Sequence, residues 1–271
     1  MIQQIDREDD SRLQSYQHVG DPQWLRLNEL FVAEGRLVVQ RLIDDGRYDI
    51  VSALVTPAAL RALESRLTSA WPVYVAEQQI VNGVTGFNFH RGCLAIVRRP
   101  VPVPLAAFSR ARTVVVLEGV GNPDNIGGIF RSAAALGADG VILDPTSGDP
   151  LYRKAVRTSM GAVLSVPFTR VQTWPDALET LRDMGFTVAA LTPSGASTVD
   201  ELSPSALAGS RLALVAGAEG AGLSDDAQRR ADVTVRIPID PRSDSLNVVV
   251  AVSIALHRCA SNPDSSSFNP C

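Results

Sequence analysis

A regular alternation of strand and helix patterns in the second half of the chain constrains the fold more than any other feature. Runs of β-branched and apolar residues predict strands at 113–117, 140–143, 163–166, 187–191, 212–215 and 233–237. Helical patterns predict helices at 125–136, 152–158, 175–184, 224–229 and 245–258. Strands separated by helices imply an α/β fold with a mostly parallel sheet covered on both faces. Ligands of such folds bind at the carboxyl ends of the strands.

A proline-rich segment separates this region from the residues before it. Pro100, Pro102 and Pro104 alternate with other residues, and proline is excluded from helix interiors and central strands because it lacks an N–H. The 271 residues are enough for two domains. We predict a small α/β domain over residues 20–98, a linker over 99–110 and a larger domain over 111–261.

The smaller predicted domain also mixes the two patterns. Apolar residues recur near helical spacing over 27–43, and later segments predict strands at 50–55, 73–75 and 92–97 and a helix at 57–67. Residues 1–19 are polar and charged, and residues 262–271 are rich in serine and proline. We therefore predict poorly ordered tails at both ends.

The composition excludes several classes of protein. With 45% hydrophobic and 20% charged residues, the chain has a globular profile without a secretion signal or an apolar run of membrane-spanning length. The formal net charge of −4 argues against a protein coated in basic residues, but it leaves a local basic face open. Three cysteines and three histidines lack metal or disulfide spacing. We expect a cytoplasmic protein with no metal site and no membrane partner.

The first candidate motif spans residues 125–131. Asn125 is expected to cap the following helix, and Gly127 and Gly128 would let a backbone or a ligand come close. A capped helix without further function is the alternative. Arg131 argues against that alternative, because a charge in an otherwise apolar helix usually needs a buried partner or a function.

The second motif follows a predicted strand and contains glycines at 217, 220 and 222 around Glu219. Such glycines would let backbone groups approach a nucleoside, while Glu219 would accept hydrogen bonds from a substrate or orient Arg131. The segment lacks the glycine order of a dinucleotide fold and the lysine of a phosphate loop. The segment therefore matches neither of these two patterns.

The third motif joins a strand end at 237–239 to Ser245, Leu246 and Asn247 through a polar loop. An N-capped helix, with Ser245 as the cap, is the alternative interpretation.

In their order and separations the three motifs resemble the signature motifs of the SpoU (TrmH-like) RNA 2'-O-ribose methyltransferases of the SPOUT superfamily. Residues 154–162 match a further segment of that family, and residues 31–35 and 90–95 resemble parts of its small substrate-binding domain. The resemblance implies a C-terminal SPOUT domain with a deep trefoil knot, a homodimer, S-adenosylmethionine as cofactor and RNA as substrate. One departure is that Ile239 and Asp240 stand where family members often have Met and Gly.

The resemblance also implies roles for individual residues. Those matching the catalytic and substrate-facing positions are Asn125, Arg131, Glu219, Ser245 and Asn247. Those matching the cofactor site are Thr192, Gly217, Ile237 and Leu246. Candidates for RNA phosphate contacts in the smaller domain are Arg91, Arg98 and Arg99. For Arg131 we favour an electrostatic role over that of a base, because guanidinium is essentially never deprotonated.

The resulting hypothesis is methyl transfer to a ribose 2'-hydroxyl of structured RNA. An N-terminal substrate domain favours ribosomal RNA, because smaller tRNA-acting members commonly lack one, and an enzyme that modifies an antibiotic site is one subtype. The alternatives are a tRNA methyltransferase, a non-catalytic RNA-binding protein of the same fold and a dinucleotide-dependent oxidoreductase. The last lacks the glycine fingerprint and the acidic ribose partner.

Overall fold

The computed structural model describes residues 2–67, 69–202 and 211–259. The chain forms two compact units. The first contains the residues up to Val101 together with Pro150–Leu164, and the second contains the rest of the described chain. The chain therefore passes from one unit to the other three times. The segment Pro150–Leu164 belongs to the first unit although it lies within the larger domain predicted from the sequence.

Twelve strands and nine helices are present in the described residues. The strands are β1 Ile2–Ile5, β2 Leu30–Glu34, β3 Ile50–Val55, β4 Val73–Ala76, β5 Cys93–Arg98, β6 Thr113–Glu118, β7 Gly140–Leu143, β8 Phe168–Arg170, β9 Phe186–Leu191, β10 Ser197–Thr198, β11 Arg211–Gly217 and β12 Val233–Arg236. The helices are α1 Pro22–Leu27, α2 Arg36–Asp45, α3 Pro57–Leu63, α4 Gln78–Thr85, α5 Pro123–Ala135, α6 Arg153–Thr158, α7 Ala177–Asp183, α8 Asp225–Arg230 and α9 Val248–Cys259.

In the first unit, five strands form one sheet in the order β1, β4, β3, β5, β2. The first three in this order are parallel, and β5 is antiparallel to both of its neighbours. The core cluster of the first unit includes Tyr16, Val32, Leu54 and Ile96, all essentially inaccessible to solvent. The predicted strands at 50–55, 73–75 and 92–97 are confirmed.

Residues 2–19, which belong to the predicted N-terminal tail over 1–19, instead pack into this core. Strand β1 pairs in parallel with β4, and a 3-10 helix follows at Ser11–His18. Leu13 and Tyr16 are fully buried, and the Tyr16 hydroxyl lies 2.8 Å from the Ser52 hydroxyl. The polar composition concealed this because a few apolar side chains at the right spacing are enough to dock a short segment.

The apolar spacing over 27–43 suggests a single helix, but the structure has the end of α1, the strand β2 and most of α2 in this range. All five residues of β2 are buried, as expected for a strand covered on both faces. Gly35 follows at φ +98°, a conformation that turns the chain sharply into α2. A short apolar run inside a helical pattern does not by itself distinguish helix from strand.

In the second unit, seven parallel strands form one sheet in the order β10, β12, β9, β11, β6, β7, β8. This confirms the predicted parallel α/β sheet. Ala216 of β11 lies opposite Leu117 of β6 on one side and Leu191 of β9 on the other. The carboxyl ends of these three central strands are therefore level, so the loops that follow them start at the same edge.

Two predictions near this unit need correction. The apolar run predicted as a strand at 163–166 forms a 3-10 turn at Ala162–Leu164, and the strand lies at β8. Val163 and Leu164 are apolar because they are buried, not because they extend a sheet. Within the predicted linker, Leu105–Arg110 forms a 3-10 helix, and Phe108 is buried in the core cluster of the second unit.

The predicted tail over residues 262–271 lies outside the described residues. Within the part of the chain that the structure describes, no helix combines the length and the apolar character needed to cross a membrane. The trefoil knot implied by the resemblance remains a prediction.

Candidate active site

A cavity of about 750 Å³ lies in the second unit, at the carboxyl ends of β9, β11 and β12. Its walls come from the Thr192–Pro193 turn after β9, the glycine-rich segment 217–223 after β11, and the loop that leads from Ile237 to Asn247. This is the edge at which open parallel sheets bind ligands. The volume lies within the range of small-molecule and cofactor sites.

The glycine-rich segment folds back onto itself. A Cβ atom on Gly217 would lie 2.2 Å from the carbonyl carbon of Gly222, and the Gly222 N–H donates to Ala218 O at 2.9 Å. Gly220 and Gly222 have φ values of +84° and +68°, which residues with side chains rarely adopt. The glycine at 217 is therefore required by close contact within the loop itself, not only by the approach of a ligand.

Glu118, at the end of β6, fixes the far end of this loop. Its Oε1 accepts hydrogen bonds from Trp174 Nε1 at 2.6 Å and from Ser224 Oγ at 2.7 Å, and its Oε2 accepts one from Ser224 N at 2.9 Å. The Ser224 side chain also caps α8 by accepting from Ala227 N. Sequence reasoning missed Glu118, although an acid that ends a buried strand beside a predicted site is a recognisable signal.

The turn after β9 is held against the end of β12. Thr192 N donates to Val235 O at 2.9 Å, and Arg236 Nη1 donates to the carbonyls of Gly195 and Ala196 at 2.6 and 2.9 Å. A Cβ atom on Gly195 would lie 2.3 Å from the Val235 carbonyl carbon, so only glycine fits there. These contacts keep Thr192 at the cavity wall.

The segment that leads into α5 is also fixed by hydrogen bonds. Burial alone would raise the pKa of Asp144, but hydrogen bonds from the Ser147 and Thr146 side chains and from the amides of Gly119 and Ser147 outweigh it. They hold the pKa of this carboxyl below its usual range. The charged Asp144 therefore fixes Gly119, the first residue after β6.

Three side chains from separate segments meet beside the cavity. The Asn247 amide Nδ2 donates to Asn125 Oδ1 at 3.2 Å and to Glu219 Oε1 at 2.5 Å. Asn125 is 7% exposed, whereas Glu219 and Asn247 are exposed. Asn247 and Glu219 also line the cavity. The structure thus brings together one residue from each of the three sequence motifs.

Two of the predicted helix caps are wrong. Helix α5 begins at Pro123 and is capped by Asn122, whose side chain accepts from Asp124 N at 2.9 Å. Asn125 lies inside the helix, and its side chain is therefore free for the contact with Asn247. Helix α9 begins at Val248, and Asn247 Oδ1 accepts from Val249 N at 2.9 Å. The cap of α5 is therefore Asn122 and not the predicted Asn125, and the cap of α9 is Asn247 and not the predicted Ser245.

Ser245 and Arg131 occupy different positions. Ser245 is exposed. It lines the cavity together with Thr192, Gly217, Ile237 and Leu246. Arg131 is exposed on α5 and does not line the cavity. Among the described residues it has neither a hydrogen-bond nor an ion-pair partner, so the buried partner considered from the sequence is not there. Its charge is available to a group outside this chain.

Helices α5 and α9 pack closely. A Cβ atom on Gly128 would lie 2.8 Å from Val249 Cγ2, and Ser253 Oγ donates to Ser132 Oγ at 2.7 Å. Gly128 therefore allows the close contact between α5, which carries Asn125, and α9, which follows Asn247.

The three predicted RNA-contacting arginines lie in the first unit. Arg91 Nε is 3.6 Å from Glu34, Arg98 Nε is 3.0 Å from Asp49, and Arg99 Nε donates to Leu30 O at 3.1 Å. Arg91 lines a cavity of its own, and the other two do not line it. The structure does not gather these three side chains at one place.

Strand β11 of the parallel sheet ends in a glycine-rich loop. This loop borders a cavity that suits a nucleoside, beside a cluster of amide and carboxylate groups. The combination defines a nucleoside-binding enzyme fold. The glycine order is not that of a dinucleotide fold.

Comparison with known proteins narrows this class. The sequence profile of the SpoU rRNA Methylase family matches residues 112–257. An uncharacterised tRNA/rRNA methyltransferase of Mycobacterium bovis is 40% identical over 262 residues, which cover 94% of this chain and 91% of that protein. The 23S rRNA (adenosine(1067)-2'-O)-methyltransferase of Streptomyces azureus is 36% identical over 188 residues, which cover 69% of this chain and 68% of that protein.

Among solved structures, the AdoMet-bound rRNA methyltransferase of Sinorhizobium meliloti matches with a TM-score of 0.82 at 24% identity, covering 95% of this chain and 97% of that one. That likeness supports the fold. The family profile and the relatives together show that this chain belongs to the SpoU rRNA methylase family.

Proposed function

We propose that this protein transfers a methyl group from S-adenosylmethionine to a ribose 2'-hydroxyl of ribosomal RNA. The observation that carries the proposal is the hydrogen-bonded cluster of Asn125, Glu219 and Asn247 beside the cavity. Family membership supports the methyl transfer, and the Streptomyces azureus relative, named as a 23S rRNA 2'-O-methyltransferase, supports the position and the RNA.

The cavity suits S-adenosylmethionine. Leu191, Ile237 and Leu246 supply apolar surface for an adenine, and the glycine-rich segment brings backbone groups to the wall. Two acids, Glu219 and Asp244, are among the residues that line it, and they suit a ligand with a sulfonium and an ammonium group. When bound, this cofactor supplies an electrophilic methyl group.

The cluster positions the ribose and takes up its proton. The Nδ2 of Asn247 donates to two acceptors, and its Oδ1 accepts from the Val249 N–H. Both ends of the side-chain amide are therefore fixed. Glu219 Oε1 is occupied by Asn247, which leaves Oε2 to accept a hydrogen bond from the 2'-hydroxyl as it attacks. A fixed hydroxyl aligned with the methyl group gains from proximity and orientation.

Arg131 acts in this proposal from a second copy of the chain. Its side chain is exposed and does not line the cavity of its own chain. Val250, an apolar residue of α9, is also exposed, at 46%. In a homodimer built on this side of α5 and α9, Arg131 would place its charge beside the oxyanion or phosphate at the partner's cavity.

Ribosomal RNA is favoured over tRNA because a separate α/β unit precedes the catalytic one and because the Streptomyces azureus relative is named for 23S rRNA. The cytoplasm is the proposed location. Cys93 and Cys259 are free and buried, as suits a reducing compartment.

The test uses labelled S-adenosylmethionine with separated rRNA and tRNA from a strain that lacks the gene. The wild type is compared with Arg131→Ala and with Arg229→Ala, an exposed arginine of the same unit paired only at the surface with Asp226. We expect alkali-resistant label in rRNA with the wild type and Arg229→Ala, and none with Arg131→Ala. Label in tRNA alone would replace the substrate. Cofactor binding without label in either pool would point to a precursor or assembly-stage RNA as the substrate, and an absence of cofactor binding would favour a non-catalytic RNA-binding protein.

The dimer is tested by mixing two inactive variants, Arg131→Ala and Asn247→Asp. If Arg131 acts at the partner's cavity, mixed dimers contain one complete site. Random exchange then restores about a quarter of wild-type activity, because half of the dimers are mixed and each has one of two sites intact. No recovery, with mixed dimers demonstrated by mass spectrometry, would place Arg131 at the cavity of its own chain.

A further inference from the structure

A second cavity, of about 700 Å³, lies within the first unit. It is bordered by the turn from β2 into α2, by α3, and by the segment that precedes β5. The proposed methyl transfer assigns it no role.

A buried carboxylate organises arginines at this cavity. Glu34 is 3% exposed, and its Oε2 accepts from Arg153 Nη1 at 2.9 Å. Arg91 Nε and Arg157 Nη1 each lie 3.6 Å from Oε1. Three guanidinium groups thus face one carboxylate, which leaves two positive charges unmatched within the cluster.

The three arginines are not equally engaged. Arg153 makes the short contact, lies with its guanidinium 4.2 Å from the centre of the Phe87 ring, and has a side chain that is 22% exposed. Arg91 makes only the longer contact, and its side chain is 51% exposed and lines the cavity. Arg36, at the start of α2, is exposed and lines the cavity as well. Among the described lining residues Glu34 is the only acid, so the rim is positively charged.

Two glycines make room for this arrangement. Gly35 has φ +98°, and a Cβ atom there would lie 3.3 Å from Arg91 Cδ. Gly92 has φ +67°, and a Cβ atom there would lie 2.9 Å from Thr56 Oγ1. Both turns therefore need glycine, and the first leaves space for the Arg91 side chain.

One part of the cavity wall is apolar. Ala58, Ala59, Ala62 and Leu63 of α3 line it. A phosphate alone would leave most of this volume unused, whereas a duplex is too wide to enter it. An unpaired nucleotide combines an anion with a flat apolar base, and unpaired bases are the elements that RNA-binding proteins usually recognise.

We propose that this cavity holds one unpaired nucleotide of the RNA substrate, with its phosphate at Arg91 and Arg36 and its base against the α3 wall. This site rests on the proposed function in that it names the part of the RNA that the first unit holds. Glu34 is a positioning residue, because it directs the Arg91 guanidinium without contacting the RNA.

The test measures binding of the full-length protein to an in vitro transcript of 23S rRNA by filter binding. The KCl concentration is varied between about 0.05 and 0.3 M, a range in which phosphate contacts make the affinity fall steeply with salt. Arg91→Ala and Arg36→Ala are expected to weaken binding about tenfold at physiological salt and to reduce the salt slope by about 0.7 each. Arg91→Lys should keep the slope. Arg7→Ala, which replaces an exposed arginine of the same unit that pairs with Asp9 outside the cavity, should bind within about twofold of wild type.

The base wall has its own variant. Ala62 is exposed on α3, so Ala62→Phe fills the cavity without entering the core. We expect weaker RNA binding with an unchanged salt slope, because no phosphate contact is lost. AMP and inorganic phosphate serve as competitors, and only millimolar concentrations should displace RNA, as expected for a single isolated contact set.

The proposal is overturned if Arg91→Ala and Arg36→Ala both behave as Arg7→Ala does. It is also overturned if AMP displaces RNA at micromolar concentration, since the cavity would then serve a free nucleotide. Thermal unfolding identifies any variant that fails to fold, and Arg36→Ala, which lies outside the Glu34 ion pairs, keeps the test informative if Arg91→Ala unfolds. The readout is binding and not methyl transfer, so an inactive protein that binds RNA through Arg91 would refute the proposed function and leave this site standing.

Discussion

Replacing Asn247 with aspartate changes the candidate catalytic cluster while preserving the helix that follows it. Among the described residues, the amide Nδ2 is the one donor that joins Asn125 Oδ1 and Glu219 Oε1, at 3.2 and 2.5 Å. Asn247→Asp turns this donor into an acceptor that faces two acceptors. The remaining oxygen still caps α9 at Val249 N, so the helix should begin at the same place.

The cost follows from the contacts. The bond to the neutral Asn125 is worth about 1 kcal/mol and the bond to the Glu219 carboxylate about 1.5–3 kcal/mol. Two like charges about 3 Å apart in a water-like dielectric add about 1.4 kcal/mol. Because Glu219 and Asn247 are exposed, their side chains can turn apart and recover part of this. We expect a net loss of about 3 kcal/mol, equivalent to a fall of about 100-fold in kcat/KM.

The assay is steady-state methyl transfer to rRNA, together with calorimetric measurement of S-adenosylmethionine affinity. Asn247→Ser is the matched control, because it keeps a capping oxygen and adds no charge, and it should lose only about tenfold.

Three results would refute this reasoning. Asn247→Asp with wild-type kcat/KM would show that the cluster does not act in catalysis. A loss confined to cofactor affinity would assign it to binding. Equal losses in Asn247→Asp and Asn247→Ser would exclude the repulsion between the introduced carboxylate and Glu219.

Gly217→Ala places a methyl group 2.2 Å from the Gly222 backbone, so the loop must shift, and calorimetry should show at least a tenfold loss of cofactor affinity, equivalent to about 1.4 kcal/mol. Gly121→Ala, at a glycine with open space and no positive φ outside the cavity lining, is the control and should change affinity much less. Glu118→Gln leaves the Ser224 N–H without a charged acceptor and should lower stability by about 1–2 kcal/mol, seen as a fall in Tm of about 2–6 °C. Arg131→Ala should leave Tm within about 1 °C of wild type, because an exposed side chain without a partner among the described residues contributes little to folding.

Much of the second unit could be predicted because each signal is local. Runs of β-branched residues and helical spacing gave the strands and helices of a parallel sheet, and strand order is not needed to predict that ligands bind at the carboxyl ends. The three motifs were recognisable because each is a short segment at the end of a strand or at a helix start. Asn125, Glu219 and Asn247 were candidates for this reason, although only the fold shows that one amide joins them.

The failures have equally physical causes. Residues 2–19 read as a tail because composition averages over a segment, whereas docking depends on a few side chains such as Leu13 and Tyr16. Strand β2 was hidden in an apparent helical pattern, because burial on both faces removes the alternation that marks a half-exposed strand. The cap of α5 was misplaced by three residues, which is a difference in local backbone geometry that residue types alone do not reveal.

The sequence by itself determined the fold class, the family and the segments that build the candidate active site, because periodicity and short motifs are written in contiguous residues. Only the tertiary structure decided which distant side chains touch. It placed Glu118 under the end of the glycine-rich loop, left Arg131 exposed and away from the cavity, and brought Arg91, Arg153 and Arg157 to the buried Glu34. Contacts between residues far apart in the sequence depend on how the helices and strands pack, and a local sequence pattern does not encode that packing.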